Sequence, residues 1–316
     1  MPTEKRCYAV KNKDEFTRAA SRSGGMFTAL SDLILNDSGV VYGCVLSDDF
    51  RTARHIRAVT KEERNRMRGS KYIPSEIGDC YKLCGEDLKS GKKVLFSGTP
   101  CQNEALNCYL DAKKIDTSNL LRVDILCHTV ASPLVWNKLL NWRANGGHID
   151  SADFRDKKTF GWAHHEESIT VDGTVHSSRI FAVLFGKNLS SPAYCANCRF
   201  KSVDRPSDIT LGDYWGISEI DGAFDDNKGV SLVLINTPIG QKYFSECADD
   251  IEYKEYDLFD SMQPAFESSI RLPDNQDEFF SDLQAKGFNA IIEKYVKKKP
   301  TFAERLAKII NKILKR

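Results

Sequence analysis

Ser191-Pro-Ala-Tyr-Cys195-Ala-Asn-Cys198-Arg-Phe-Lys201 places two thiols two residues apart in a segment bounded by a proline and basic residues. Such a pair can bind one side of a soft metal centre, but it supplies only half of a four-thiolate site. Two further cysteines stand out: Cys101 in Gly98-Thr-Pro-Cys-Gln102 and Cys127 in Val123-Asp-Ile-Leu-Cys-His128. We therefore predict that Cys101, Cys127, Cys195 and Cys198 form one metal centre.

Four thiolates drawn from three loops suit either a structural zinc ion or a [4Fe–4S] cluster, since both accept tetrahedral sulfur donors. Zinc sites commonly use two close pairs of cysteines, whereas here one close pair is joined by two single cysteines. This spacing favours the cluster. The alternative is a zinc-stapled binding or assembly module without redox activity.

The bulk composition is that of an ordinary globular protein, and it excludes some classes of function. The 316 residues include ten cysteines and carry a formal net charge of +1, so the balance of charge does not point to nucleic acid. The N-terminus lacks the apolar core of a signal peptide, and no stretch reaches the roughly 18 apolar residues of a membrane-spanning helix. We therefore expect a cytoplasmic protein whose cysteines are reduced thiols or metal ligands.

Alternating strand and helix patterns in the first half predict an α/β unit. Short apolar strands at 93–97 and 120–126 lead into Cys101 and Cys127, and ligands bind at the C-terminal edge of parallel α/β sheets. After Gly146-Gly147 the pattern changes to α+β elements, with alternating strand segments at 149–157 and 168–175 and a hairpin turn at Asp172-Gly173. We predict mixed sheets flanked by helices, in domains 1–147 and 148–299 followed by a tail at 300–316.

Two loops in the first half have residues that suit a dinucleotide. Ser23-Gly24-Gly25 precedes apolar residues at helical spacing. A small-residue loop that opens a helix exposes N–H groups and a positive dipole end to a phosphate, although a plain helix start explains it as well. Lys71-Tyr72 offers a cation and a flat ring, a combination that is also common in ordinary loops.

Three more sets of residues are candidates with structural alternatives. Asp213, in Gly212-Asp-Tyr-Trp-Gly216, can accept hydrogen bonds from a ribose or ribityl chain, or it can cap a turn. His128 can donate to a cluster sulfide or relay a proton, or it can be a structural histidine. Cys80 and Cys84 lie four apart on a predicted helix and are interpreted as core residues rather than ligands.

The C-terminal tail is distinct from the rest of the chain. From Lys294 to Arg316 there are nine Lys/Arg and one Glu, so the remainder carries about −7. Apolar residues follow one helical stripe from Phe302 to Ile313, with lysines along the other side. Such an amphipathic helix suits an anionic membrane surface or a protein partner, and equally a helix packed on its own domain.

The motifs together resemble the family of coenzyme F420 hydrogenase/dehydrogenase beta subunits, which are iron–sulfur flavoproteins. The resemblance extends from about residue 20 to 240. Six matching segments occur in order: Ser23-Gly-Gly-Met-Phe-Thr28, Gly69-Ser-Lys-Tyr72, Gly98-Thr-Pro-Cys-Gln102, Cys127-His128, Cys195-Ala-Asn-Cys198 and Ser207-Asp-Ile-Thr-Leu-Gly-Asp213.

This resemblance implies an α/β protein that binds FAD and a [4Fe–4S] cluster. The implied cluster ligands are Cys101, Cys127, Cys195 and Cys198. The implied flavin contacts are Ser23, Gly24, Gly25, Lys71, Tyr72, Thr99, Pro100 and Asp213. The implied chemistry is electron or hydride transfer to a small-molecule or deazaflavin-type acceptor, with Lys71 and His128 as candidates for charge stabilisation or proton supply.

Two departures from the family pattern shape the expected partners. Many relatives carry an N-terminal ferredoxin segment with clustered cysteines, whereas this chain has only Cys7 there. We therefore expect electrons from an external donor such as ferredoxin. Relatives with a basic tail resemble bacterial proteins associated with surface-polysaccharide biosynthesis. From the amphipathic pattern of 300–316 we expect this tail to contact either the inner face of the cell membrane or a protein partner.

Overall fold

A computed structural model describes residues 5–297 as twelve strands and fourteen α-helices, which end in a π-helical turn at Ile292–Val296. The strands are β1 (Arg6–Asn12), β2 (Val40–Leu46), β3 (Ala53–Ala58), β4 (Ser75–Glu76), β5 (Val94–Gly98), β6 (Leu120–Ile125), β7 (Ile149–Asp153), β8 (Glu167–Val171), β9 (Thr174–Ser178), β10 (Ile209–Asp213), β11 (Ser231–Ile235) and β12 (Ile251–Tyr256).

The helices vary in length from four to thirteen residues. They are α1 (Glu15–Ala20), α2 (Met26–Asn36), α3 (Lys61–Asn65), α4 (Cys80–Lys89), α5 (Pro100–Ala112), α6 (Pro133–Ala144), α7 (Lys157–Phe160), α8 (Ile180–Gly186), α9 (Ala193–Ala196), α10 (Ile217–Ile220), α11 (Pro238–Glu246), α12 (Pro264–Glu267), α13 (Gln276–Ala285) and α14 (Phe288–Ile291).

Nine of these strands form one mixed sheet in the order β12-β1-β11-β10-β6-β5-β2-β3-β4. Its centre, β10-β6-β5-β2, is parallel, while β11, β1 and β12 pair antiparallel on one side. The carboxyl ends of the four parallel strands therefore meet at one edge. That edge is where a parallel α/β sheet offers its ligand site, because the loops that follow the strands converge there.

Apolar side chains cover both faces of this sheet. Helices α2 and α11 pack on one face through Leu30, Ile34 and Phe244. Helices α4 and α5 cover the strands β2, β5 and β6. Cys80 and Cys84 lie in that second cluster, 5% and 0% exposed. The prediction that these two thiols are core residues is confirmed.

A smaller antiparallel sheet, β7-β8-β9, lies between β6 and β10 in the chain. Its hairpin turns at Asp172-Gly173, both with positive φ, as the sequence predicts. The strand expected over 149–157 ends at Asp153 instead. There the Asp156 side chain accepts a hydrogen bond from the Thr159 N–H at 2.9 Å and starts the short helix α7.

The predicted fold class, mixed sheets flanked by helices, is confirmed. Strands from both sides of residue 147 pair in the large sheet, so the predicted boundary does not separate two sheets; the division into domains stays a prediction. The predicted amphipathic helix at 300–316 lies outside the described residues. Within 5–297, no helix is both long and apolar enough to cross a membrane.

Candidate functional site

A cavity of about 1300 Å³ opens at the carboxyl edge of the parallel strands. One wall is this edge, with the start of α2 and the loops that follow β5 and β6. The other wall consists of α8, the loop 194–201 and the residues Phe154, Arg155 and His165, and it faces Asp213 at the end of β10. Each of the six segments of the family resemblance contributes residues to the lining.

Cys101 lies in the first turn of α5, immediately after β5. The Thr99 N–H donates to the Gln102 side-chain oxygen at 2.9 Å, and Pro100 occupies the first helical position. Both features fix the start of the helix. The Thr99 hydroxyl lies 3.0 Å from the Cys101 sulfur, so the exposed thiol faces the cavity with a polar neighbour.

Cys127 follows β6, and its thiol is half-buried in the cavity wall. The Lys201 ammonium donates to the carbonyls of Cys127 and His128, which holds this loop against the segment that carries the other cysteine pair. Burial, with a smaller contribution from the other three cysteines, raises the pKa of the Cys127 thiol to about 12. A cation or a positively charged metal centre would favour the thiolate that ligation needs.

Cys195 lies in the short helix α9 and Cys198 just after it, and both thiols are half-buried in the same cavity. The structure therefore brings the four predicted ligands to one cavity. Among residues 5–297, no three Cys, His, Asp or Glu side chains are close enough to hold a single metal ion.

A buried ion pair fixes the Cys195–Cys198 loop to the large sheet. Arg205, 1% exposed, donates to Asp124 of β6 at 2.9 and 3.2 Å, and it also donates to the Phe200 carbonyl at 2.7 Å. Burial raises the pKa of Asp124 in spite of this partner. Because the partners are 81 residues apart, the pair connects the two cysteine-bearing halves of the site.

The Ser23-Gly24-Gly25 loop lies against the ends of β1 and β11. The Gly24 N–H donates to the Ser231 hydroxyl at 2.9 Å, and the Ser23 hydroxyl donates to the Val230 carbonyl at 2.6 Å. A Cβ on Gly24 would be 2.0 Å from the Val10 carbonyl oxygen. The glycines therefore let the loop approach the sheet, and Ser23 and Gly25 line the cavity.

Three predicted flavin contacts line the cavity but already have partners within the chain. The Lys71 ammonium donates to four backbone carbonyls between residues 66 and 69 at 2.8–3.2 Å, and burial lowers its pKa to about 8. Tyr72 packs on Phe185 with the ring centroids 4.9 Å apart. Asp213 accepts from Arg155 at 2.5 Å and from the Trp162 indole at 2.8 Å. Their direct contact with a flavin stays a prediction.

His128 also has a partner, because its Nε2 lies 3.2 Å from the Asn188 side-chain oxygen. Burial lowers the pKa of His128 below its ordinary value, so the ring is neutral at pH 7. A neutral imidazole can donate one hydrogen bond but carries no charge. Of the roles predicted for His128, a hydrogen-bond donor fits this environment better than a fixed cation.

Sequence reasoning missed the cations that organise the cavity. Arg155 is 1% exposed and binds Asp213, while its guanidinium lies 4.7 Å from the Trp215 ring centroid. Lys157 donates to the carbonyls of Arg18, Ser21 and Ser23. Lys201 stood in the quoted cysteine segment and could have been found there; Arg155 and Lys157 had no local signal.

The cavity lining is strongly cationic. Among the described residues that line it, eight are Lys or Arg and one, Asp213, is acidic; the cations are Arg22, Arg68, Lys71, Arg155, Arg179, Lys187, Arg199 and Lys201. The low-dielectric walls of a cleft focus such a field, which attracts anionic ligands. This arrangement suits a nucleotide or another anion, and it also balances the negative charge of cysteine thiolates.

Comparison with known proteins identifies relatives over the part of the chain that carries the four cysteines. The family model that describes the carboxyl terminus of the beta subunit of coenzyme F420 hydrogenase/dehydrogenase matches residues 91–258, a range that contains all four. The chain is 24% identical over 254 residues to the F(420)H(2) dehydrogenase subunit designated F from Methanosarcina mazei. The alignment covers 78% of this chain and 64% of that relative, so the chain spans less than two thirds of its length.

A solved structure also has a similar fold. It is described as xenon derivatization of the F420-reducing [NiFe] hydrogenase complex from Methanosarcina barkeri. The TM-score is 0.55 at 19% identity, and the match covers 78% of this chain and 81% of that one. At this identity the likeness concerns the fold alone.

Proposed function

The chain belongs to the family of coenzyme F420 hydrogenase/dehydrogenase beta subunits, and we propose that it is an iron–sulfur flavoprotein oxidoreductase. In this proposal electrons pass between a [4Fe–4S] cluster, FAD and an acceptor. The proposal rests on the observation that four cysteines line one cavity. One comes from the start of α5, one from the loop after β6, and two from the Cys-x-x-Cys segment.

The donor set fits the proposed cluster, because four cysteine thiolates are the usual ligands of [4Fe–4S]. Cys101 and Cys127 would hold it from the strand edge, and Cys195 and Cys198 from the opposite loop. Lys201, whose ammonium donates to the carbonyls of Cys127 and His128, would offset the negative charge of the site. When bound, the cluster would transfer single electrons and the flavin would convert between one- and two-electron transfer.

The proposed flavin site rests on the size and charge of the cavity. Its volume of about 1300 Å³ exceeds the roughly 300–1,000 Å³ of a typical small-molecule site, which leaves room for a cofactor and a second ligand. The close approach of the Ser23–Gly25 backbone and the start of α2 suit a nucleotide phosphate. Thr99 and Pro100 border both the cysteines and this space.

The partners and the cellular role belong to the same proposal. The matched relatives are named as part of a dehydrogenase and of a hydrogenase complex, which supports a protein electron donor such as ferredoxin. A small-molecule or deazaflavin-type acceptor would then take the electrons. The proposal includes a cytoplasmic setting, contact with the inner membrane face through 300–316, and a role in surface-polysaccharide biosynthesis.

Anaerobic purification of the full chain with metal, sulfide and flavin analysis tests this proposal. We expect about four iron atoms and four sulfides per chain, together with a flavin. Cys198→Ser should remove most of the iron, because it deletes one of four ligands. Cys108→Ser is the matched control, since this exposed thiol of α5 is not among the proposed ligands.

Two results would contradict the proposal. A colourless protein with stoichiometric zinc would replace it with the zinc-stapled binding module. Equal iron loss in the Cys198→Ser and Cys108→Ser proteins would show that the ligand assignment is wrong.

A further inference from the structure

Within the described part of the chain, two nitrogen atoms of the half-buried Arg22 side chain are enclosed without a hydrogen-bond partner. Among residues 5–297, its Nε and Nη1 atoms are buried and find no hydrogen-bond acceptor, although the side chain lines the cavity. Most buried polar groups in proteins are paired, and an unpaired buried charge is costly. A guanidinium left in this state at a cavity wall indicates that its partner is a ligand.

The backbone on both sides of Arg22 is held in place by hydrogen bonds and by close packing on the sheet. The Lys157 ammonium donates to the carbonyls of Ser21 and Ser23, on both sides of Arg22, at 3.0 Å each. Gly24, two residues on, packs directly on the strands β1 and β11. The position of Arg22 is therefore set before any ligand binds, which is the arrangement of a preorganised site.

The surroundings of Arg22 do not neutralise it. The two acidic groups that favour its charged form are Asp153 and Asp213. Asp213 is already bound by Arg155 and Trp162, and an Asp153 carboxylate oxygen accepts from the Arg155 N–H at 2.9 Å. Burial, followed by the neighbouring Arg155 charge, lowers the pKa of Arg22. An incoming anion would relieve both effects.

We propose that Arg22 is a phosphate-binding residue, which receives an anionic phosphate group of the ligand in this cavity. A planar guanidinium is the side chain best matched to phosphate oxygens. The start of the eleven-residue helix α2 lines the cavity four residues further on and adds its dipole. The phosphate belongs to the flavin nucleotide or to a second phosphorylated ligand, and this inference rests on the proposed function and deepens it by assigning a recognition residue.

Titration of the full-length protein with inorganic pyrophosphate by calorimetry tests the site, before and after removal of any bound flavin. We expect wild-type binding to weaken at least tenfold in Arg22→Gln, and Arg22→Lys to retain part of it. Arg54→Gln is the matched control, because Arg54 is exposed on β3 away from the cavity and its loss should change the affinity less than twofold.

Thermal unfolding without ligand separates a binding role from a structural one. Since the Nε and Nη1 atoms of Arg22 make no internal hydrogen bond, Arg22→Gln should keep or raise the melting temperature of the ligand-free chain. A lower melting temperature together with unchanged pyrophosphate affinity would overturn the proposal. So would an absence of pyrophosphate binding to the wild type in both states.

The same titration distinguishes the two sources of phosphate. Binding seen only after flavin removal assigns Arg22 to the flavin nucleotide, whereas binding in both states assigns it to a second ligand; either result supports the site. These readouts do not depend on iron. The pyrophosphate titration can therefore contradict the phosphate site while metal analysis still supports the cluster. Conversely, a zinc-containing chain can still bind pyrophosphate at Arg22.

Discussion

The two walls of the cavity are held in place by different forces. The wall formed by the large sheet places Cys101, Cys127 and the Ser23–Gly25 loop through backbone geometry, at strand ends and in close backbone contacts. The opposite wall is attached by buried side-chain charges, of which Arg205 and Arg155 are the main ones. We therefore expect added side-chain volume to destabilise the sheet wall, and the loss of single charges to destabilise the opposite wall.

Removing the charge that attaches the cysteine loop should have the largest effect. Arg205→Met leaves Asp124 buried without its cation, and breaking a buried pair in this way costs about 3–5 kcal/mol. Urea denaturation should show that loss in the free energy of unfolding, and the metal content should fall with it. Arg199→Met is the control, because its pair with Glu104 is exposed and worth at most about 1 kcal/mol.

Equal losses of unfolding free energy in Arg205→Met and Arg199→Met would show that Arg205 does not attach the cysteine loop to the sheet. The two walls would then not differ in the way described above.

Added volume at the sheet wall should have the next largest effect. In Gly24→Ala the new methyl group would meet the Val10 carbonyl and the Ser231 N–H, both backbone atoms of the sheet. Overpacking of this kind costs about 1–3 kcal/mol or more. Thermal and urea unfolding measure it.

Gly186→Ala provides the comparison, since it lies in α8 with nothing within 4 Å of the added Cβ. Helix propensity predicts that it is neutral or slightly stabilising. An equally mild effect at Gly24 would mean that the sheet wall is not closely packed there.

The smallest expected effect, when taken per pH unit, is a change in the pH dependence of stability at the charged wall. Glu167, 1% exposed in β8, accepts from the Ser178 hydroxyl and from the Ile180 N–H at the start of α8. Burial raises the pKa of Glu167 to about 7 from 4.5. Between these values the folded chain binds more protons than the unfolded one, so rising pH lowers the stability, by at most about 1.4 kcal/mol per pH unit.

Glu167→Gln should remove this decrease of unfolding free energy with pH. The variant should therefore become more stable relative to the wild type as pH rises from 4.5 to about 7, and the difference should stay constant above pH 7. Urea midpoints measured across this range give the slope. The exposed Glu86→Gln should leave the wild-type profile unchanged. A profile that is the same in all three proteins would show that Glu167 is not titrating as a buried carboxyl.

Much of the fold and part of the site could be predicted from local patterns. The strand–helix alternation predicts the parallel centre of the sheet, and a cysteine just after an apolar strand falls at its ligand-binding edge wherever that strand pairs. The roles of Cys80 and Cys84 followed from helical spacing. Such inferences succeed because they depend on residues within a few positions of one another.

The interactions of single charged residues could not be predicted in the same way. The sequence predicts that Asp213 accepts hydrogen bonds from a ribose or ribityl chain, whereas in the structure it accepts one from Arg155, which is 58 positions away. A side chain has no sequence signal for a partner that long-range pairing brings to it.

The order of residues in the chain determines which groups carry chemistry: two cysteines beside predicted strand ends, one Cys-x-x-Cys pair and a small-residue loop before a helix. The identity of these residues is given by the sequence, and their local backbone geometry depends only on near neighbours in the chain. Tertiary structure decides which charges are satisfied and which remain open to a ligand. The Lys157 ammonium donates to the Ser23 carbonyl, which is 134 positions away in the chain. Arg22 precedes Ser23, and within residues 5–297 its Nε and Nη1 atoms are left without a hydrogen-bond partner. Burial sets the energy of each charge, and burial exists only once the sheet and its opposite wall have come together.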